Sequence, residues 1–228
     1  MTSSLQCCTA KRDTRTAIGG YRKAPITLGS ELERADLAEL HYITPLANIR
    51  SILERGILSH VRAQKFKPAS IAAQEIQNIR AAVRLPTGRR LHEYANLYFH
   101  ARNPMMYKRR AQHADICVLR VGVTVLDVPG TIITNANASS RYVRFSPSPG
   151  GLVFVNEELT YAENWKNPDD QIDEWQRTSA KCAEVLVPDR VDVSLITGAY
   201  VSCQESKDKF DALEVGVPSN FNAELFFR

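Results

Sequence analysis

The side chains here that could do chemistry are carboxylates and arginines, because the motifs that would point elsewhere are missing. No GxGxxG follows a strand, and GxxxxGK[ST], HExxH and GxSxG do not occur. Dinucleotide-fold dehydrogenases, P-loop enzymes, zincins and serine hydrolases therefore fall well down the ranking. The five histidines are scattered without a close pair, so no metal is expected. Five cysteines at irregular spacing (Cys7, Cys8, Cys117, Cys182, Cys203) form no CxxC pair set and no even framework. They read as free thiols of a protein in a reducing compartment.

The arginines are unevenly placed. The formal charge of +4 divides into +2 over residues 1–59, +9 over 60–120 and −7 over 121–228. The basic middle third interleaves Tyr94, Tyr98, Phe99 and Tyr107 with its cations, a composition that suits either a solvated face or a surface that meets a polyanion.

Positioning such groups requires a folded core, and 228 residues with 44% apolar and 24% charged side chains can build one. No apolar run is long enough for a membrane helix, and the start, MTSSLQCCTAKRDTRT, lacks the apolar centre of a secretory signal. The expectation is a cytoplasmic protein with no membrane role. Residues 1–34 show no apolar period and are expected to form a mobile arm, leaving 35–228 as a single domain.

Within that domain, Tyr42–Thr44 reads as a short strand, and Leu46, Ile49, Ile52 and Leu53 form the stripe of a helix that Gly56 closes. AAQEIQNIRAAVR reads as a short helix within a long basic excursion, the kind of insertion that often binds a ligand. NLYFHA, ICVLRVGVTVL, the TIIT stretch, GGLVFVN, AEVLVP and VDVSLITGAYV are of strand type. NPMMYKRRAQH and the acidic segment from Glu157 to Lys181 are compatible with helix. Many short strands with grouped helices and no βαβ alternation indicate an α+β fold.

Four blocks, LHYIT running into NIRSILERGILS, LHEYANLYFHARNPMMY, ITNANASSRYVRF and AEVLVPDRV, occur in the order found in DNA ADP-ribosyltransferase toxins, and over residues 40–200 the sequence resembles the DarT family. The resemblance implies an ADP-ribosyltransferase-like split mixed or antiparallel sheet flanked by helices, with NAD as co-substrate in the cleft and no metal. By its place in AEVLVP, Glu184 is the catalytic glutamate that the resemblance implies. A carboxylate beside the ribose can hold its hydroxyls and stabilise positive charge as the glycosidic bond breaks. On its own, Glu184 reads as an exposed glutamate at a strand end.

Arg80 falls where the family has an arginine on NAD phosphate that activity requires, a task suited to a planar, bidentate cation. Arg84 lies one turn further on. Most transferases of this superfamily carry His followed, after one intervening residue, by Thr or Ser on the NAD-binding strand. Aligned on Thr44, that place is held by Tyr42, with His41 beside it. Either the Tyr42 hydroxyl makes the ribose contact, or a one-residue bulge returns His41 to it.

Asn48 and Ser51 match positions near the cofactor. Met106 and Tyr107 match a segment lining the cleft near the scissile base, and Asn137, Tyr142 and Arg144 match a loop that approaches the acceptor nucleotide.

The resulting expectation is transfer of ADP-ribose from NAD to thymine or guanine of single-stranded DNA, since chemistry on a ring atom needs an unpaired base. The resemblance further implies a toxin whose antitoxin, of macrodomain or NADAR type, removes the modification. The alternatives are a non-catalytic nucleic-acid-binding module with a degenerate transferase fold, or transfer to protein or RNA.

Overall fold

The computed structural model describes residues 32–71 and 74–227. Most of the expected arm lies outside these residues. Of its last positions, Leu32 is 1% exposed and belongs to the main core.

The strands are β1 (Leu40–Pro45), β2 (Ile57–Leu58), β3 (Tyr94–Tyr98), β4 (Ile116–Val121), β5 (Ile132–Thr134), β6 (Phe145–Pro147), β7 (Glu184–Pro188), β8 (Arg190–Val191), β9 (Ile196–Val201) and β10 (Ser219–Phe221). The helices are α1 (Ile49–Arg55), α2 (His60–Ala63), α3 (Gln74–Ala82), α4 (Pro104–Lys108), α5 (Glu157–Tyr161), α6 (Gln171–Ala180) and α7 (Gln204–Asp211). Eight strands form one sheet in the order β10-β9-β4-β1-β3-β7-β5-β6, antiparallel except where β10 joins β9, while β2 and β8 pair separately. This is the mixed α+β architecture expected from the sequence.

The sheet divides at its centre. β1 runs along β4 in unbroken register from Leu40↔Val121 to Pro45↔Ile116, but meets β3 through the single pair His41↔Tyr98. On the other side of that junction, β3 pairs with β7 along its whole length, from Tyr94↔Pro188 to Tyr98↔Glu184. Two half-sheets therefore share one pair of residues, and that pair adjoins Glu184.

ICVLRV and EVLVP become interior strands because their nearly continuous apolar runs are covered on both faces. One face carries the main core, with Leu40, Leu97, Phe99, Leu119, Val185 and Val187 under Ile49 and Ile52 of α1. Truncating Leu97 or Leu119, each with no exposed surface, should cost about 2–5 kcal/mol. The other face carries Ile43, Tyr98, Met106 and Val118 under Leu225 and Phe226.

Gly56 ends α1 at φ +86°, and a Cβ there would come within 2.2 Å of the Val191 carbonyl oxygen, so the turn between α1 and β2 admits only glycine. The expected strand in GGLVFVN is instead a 3-10 turn, Gly150–Phe154. Gly151 lies so close to Ser146 and Ile133 that a Cβ would approach both side chains at about 3 Å, which folds this segment over β5 and β6 rather than into the sheet. Among the described residues, no helix is long and apolar enough to cross a membrane.

Candidate active site

Glu184 opens β7 and has no exposed surface. Its backbone N–H donates to Thr134 Oγ1 at 2.9 Å, and the Thr134 hydroxyl donates to the Ala136 carbonyl at 2.7 Å, so the end of β5 fixes the start of β7. The carboxylate accepts from three donors. Arg80 Nη1 and Nη2 each reach one oxygen at 2.9 Å, and the Ala138 backbone N–H reaches Oε1 at 3.0 Å. An ionised carboxylate has roughly four acceptor positions; one is left, and the arginine fork retains unused N–H groups.

Arg80 stands in the last turn of α3, 8% exposed. Burial opposes its charge, but the Glu184 carboxylate outweighs that cost and holds the guanidinium above the ordinary arginine range. The fork expected on phosphate is thus turned onto the carboxylate. Arg84 is elsewhere, donating to the Gly88 carbonyl.

Tyr98, directly opposite Glu184, is a site residue that sequence reasoning did not single out. Its phenol is pushed well up by burial and then by the Glu184 charge, so it stays protonated, and its hydroxyl meets Met105 Sδ at 3.9 Å. In the sequence it stands in the LYFH block as one of several aromatics interleaved with the basic residues. The Ala138 contact is made by backbone, and no side-chain pattern could reveal it.

On β1 the two competing residues differ in what is free. His41 is 6% exposed and engaged at both ring nitrogens: Nδ1 accepts from the Ala101 N–H at 3.0 Å, which places the proton on Nε2, facing Glu39 Oε1 at 3.3 Å. Glu39 also accepts from Arg120 at 2.6 Å. Burial alone would raise Glu39, but hydrogen bonds from His41, Arg120 and Tyr200 bring it down to about 2. Tyr42 packs its ring against the main core, and burial, helped by Cys117, raises its hydroxyl to about 12. That hydroxyl makes no hydrogen bond among the described residues. The unbroken β1–β4 register contains no bulge.

Thr44 is buried and accepts from Asn48 at 3.3 Å. The Asn48 amide also clasps the backbone of Ala69 from both sides, at 2.8 and 3.0 Å, tying down the segment that leads towards α3 and Arg80. Ser51 accepts from Arg55 within α1.

Asn103 caps α4, its Oδ1 accepting from the N–H groups of Met105 and Met106 while its Nδ2 donates to the His100 carbonyl at 3.3 Å. Met106 is fully buried in the core cluster beneath the C-terminal residues, the usual role of a methionine. Tyr107 is 41% exposed. The loop after β5 covers Glu184 through Ala138, and the Asn137 N–H anchors it to the Ser179 carbonyl at 2.9 Å. The same loop ends in Tyr142, 91% exposed, and Arg144, whose guanidinium stacks 3.5 Å over the Phe154 ring. Among the described residues, no group of three or more His, Cys, Asp or Glu could hold a metal ion.

The family profile described as "ssDNA thymidine ADP-ribosyltransferase, DarT" matches residues 41–225. The chain belongs to the DarT family. A "DNA ADP-ribosyl transferase-DNA ADP-ribosyl glycohydrolase fusion protein" of Thermosipho africanus (strain H17ap60334) is 32% identical over 176 residues, covering 73% of this chain and 43% of the relative. The solved Thermosipho africanus DarTG in complex with ADP-ribose superposes with a TM-score of 0.71 at 29% identity, covering 83% of this chain and 51% of that one. This chain thus spans about half or less of those relatives. Thermus sp. 2.9 DarT in complex with ADP-ribosylated ssDNA shares the fold, with a TM-score of 0.72 at 22% identity over 84% of this chain and 97% of that one.

Proposed function

We propose that this DarT-family chain transfers ADP-ribose from NAD to thymine in single-stranded DNA, with Glu184 as the catalytic carboxylate. The observation that carries this reading is the carboxylate of Glu184, buried and oriented by Arg80 and Ala138 beside the junction of the two half-sheets. An ionised carboxylate fixed in a dry site is suited to stabilising positive charge that develops nearby, because it needs no reorganisation during the reaction.

NAD fits the donor set. Glu184 retains one acceptor position, Arg80 retains N–H groups, and Tyr42 carries a hydroxyl with no partner among the described residues. When bound, NAD supplies the ADP-ribosyl group, with nicotinamide as the leaving group. Glu184 accepts a ribose hydroxyl and faces the developing charge. Arg80 holds Glu184 in place and presents its remaining donors to the pyrophosphate. Tyr42 makes the ribose contact, and His41, occupied at both nitrogens, braces β1 against the segment after β3.

Thymine as acceptor follows the family's description. The Thermosipho fusion protein joins a transferase to a glycohydrolase, which supports pairing of this chain, as a cytoplasmic toxin, with an antitoxin hydrolase of macrodomain or NADAR type. Incubating the protein with NAD and a single-stranded oligonucleotide, then weighing the oligonucleotide, tests the activity. A gain of one ADP-ribose supports it, while label appearing on protein or RNA instead would move the acceptor to those polymers.

A further inference from the structure

Tyr107, Trp165 and Phe227 meet pairwise edge to face, with centroids 5.2–6.1 Å apart and planes at 82–87°. Between them and the short run from Glu163 to Lys166 lies a pocket of about 140 Å³. Cations sit on two of the rings: Arg110 is 4.5 Å from the Tyr107 centroid and Arg102 is 4.1 Å from that of Phe227. Lys108, on the same helix as Tyr107, is exposed and has no partner among the described residues. The pocket adjoins the active site through α4, since Met105, two residues before Tyr107, touches the Tyr98 hydroxyl.

The polar rim is selective. Asn164 Oδ1 accepts from the Lys166 N–H at 2.9 Å, which leaves its amide as a donor, and Lys166 is itself occupied by Glu174. The Glu163 carboxylate, exposed at the rim, makes no hydrogen bond or ion pair among the described residues. An ionised carboxylate only accepts.

We propose that this pocket takes one unpaired nucleobase of the DNA strand next to the modified one, and that Glu163 favours a base with an exocyclic amino group over thymine. The inference rests on the reading of this protein as a transferase acting on single-stranded DNA. Aromatic faces flanked by arginine suit any base, because every base offers a π-face, and the cations of Arg102, Lys108 and Arg110 suit the adjoining phosphates. Discrimination comes from the rim. Cytosine, adenine and guanine each present an exocyclic amino donor to Glu163, whereas thymine has no amino group and its single ring N3–H lies between two carbonyl oxygens that the carboxylate repels. The pocket thereby adds sequence context to a reaction whose acceptor is chosen elsewhere.

The test is binding of single-stranded oligonucleotides that differ only in one base flanking the acceptor thymine, measured by anisotropy on the full chain without NAD. Transfer to the same set is read in parallel by mass spectrometry with NAD. At one flanking position, cytosine, adenine or guanine should bind about tenfold more tightly than thymine, Glu163→Gln should level that preference, and Tyr107→Ala should weaken all four ligands. Trp165→Phe, which keeps a ring in place, should weaken them less. Failure of every flanking position to discriminate against thymine, a preference unchanged in Glu163→Gln, or absence of DNA binding overturns the pocket. The preference without transfer overturns the transferase reading alone, and transfer without the preference overturns the pocket alone.

Discussion

Arg80 and Glu184, 104 positions apart in the chain, meet through two parallel 2.9 Å hydrogen bonds in a site where the carboxylate has no exposed surface. The carboxylate holds the buried guanidinium in its charged form, so substitutions there separate chemistry from stability. Glu184→Gln keeps the shape and one acceptor oxygen but loses the charge. Transfer should fall by on the order of a hundredfold or more. Glu184→Ala leaves the guanidinium buried without a counter-charge and should also lose about 3–5 kcal/mol of stability. Mass-spectrometric rates and denaturant melts of the two variants separate these effects, and near wild-type transfer by folded Glu184→Gln would remove Glu184 from the reaction.

Arg80→Lys tests the fork itself. A lysine preserves the charge but cannot bridge both carboxylate oxygens. The variant should fold and bind NAD more weakly by calorimetry, with transfer reduced at least tenfold. A variant as active as wild type would show that charge alone is needed.

Tyr42 and His41 are predicted to fail differently. Tyr42→Phe removes a hydroxyl with no partner among the described residues, so it should leave the melting temperature nearly unchanged and weaken NAD binding. His41→Ala removes both the Ala101 and the Glu39 contacts and should lower stability first. Calorimetric titration together with melting resolves the two, and the reverse pattern would return the ribose contact to His41.

Glu39 predicts an acid limit. Its carboxyl is held at about 2 against an ordinary 4.5, where hydrogen bonds from His41, Arg120 and Tyr200 outweigh the cost of burial. A depressed carboxyl pKa stabilises the fold in full above pH 4.5, and this contribution is lost as pH falls towards 2. Discounted for solvent screening, it amounts to about 1–2 kcal/mol. His92, pushed down to about 4 by burial and by the neighbouring His60 and Arg80, adds stability that is full above pH 6.5 and lost as pH falls through 4. Urea titrations from pH 7 to 2 should therefore show a steeper loss below 4.5 in wild type than in Glu39→Gln, and equal slopes would contradict the network.

The strands were legible where local pattern suffices. EVLVP and the first half of ICVLRVGVTVL became β7 and β4, although Val123–Asp127 turned into a 3-10 helix after Gly122, and Gly56 sits at the helix end where the pattern expected it. GGLVF was misread because the approach of Gly151 to Ile133 and Ser146 is a long-range constraint that alternation does not encode. Periodicity alone could not tell Glu184 from an exposed strand-end carboxylate; the ordered blocks singled it out. Asn48 illustrates the remaining gap: its amide serves the Ala69 backbone, a partner visible only once the chain has folded.

The central claim is transfer of ADP-ribose to single-stranded DNA by way of Glu184, and the most direct measurement is the mass of a thymine-containing oligonucleotide after incubation with NAD. The same strand is tested annealed to its complement, and Glu184→Gln is tested in parallel. A gain of one ADP-ribose on a thymine of the single strand is predicted, with little on the duplex, whose bases are stacked and paired, and little from the variant. An unmodified single strand in the presence of folded, NAD-binding protein would contradict the account.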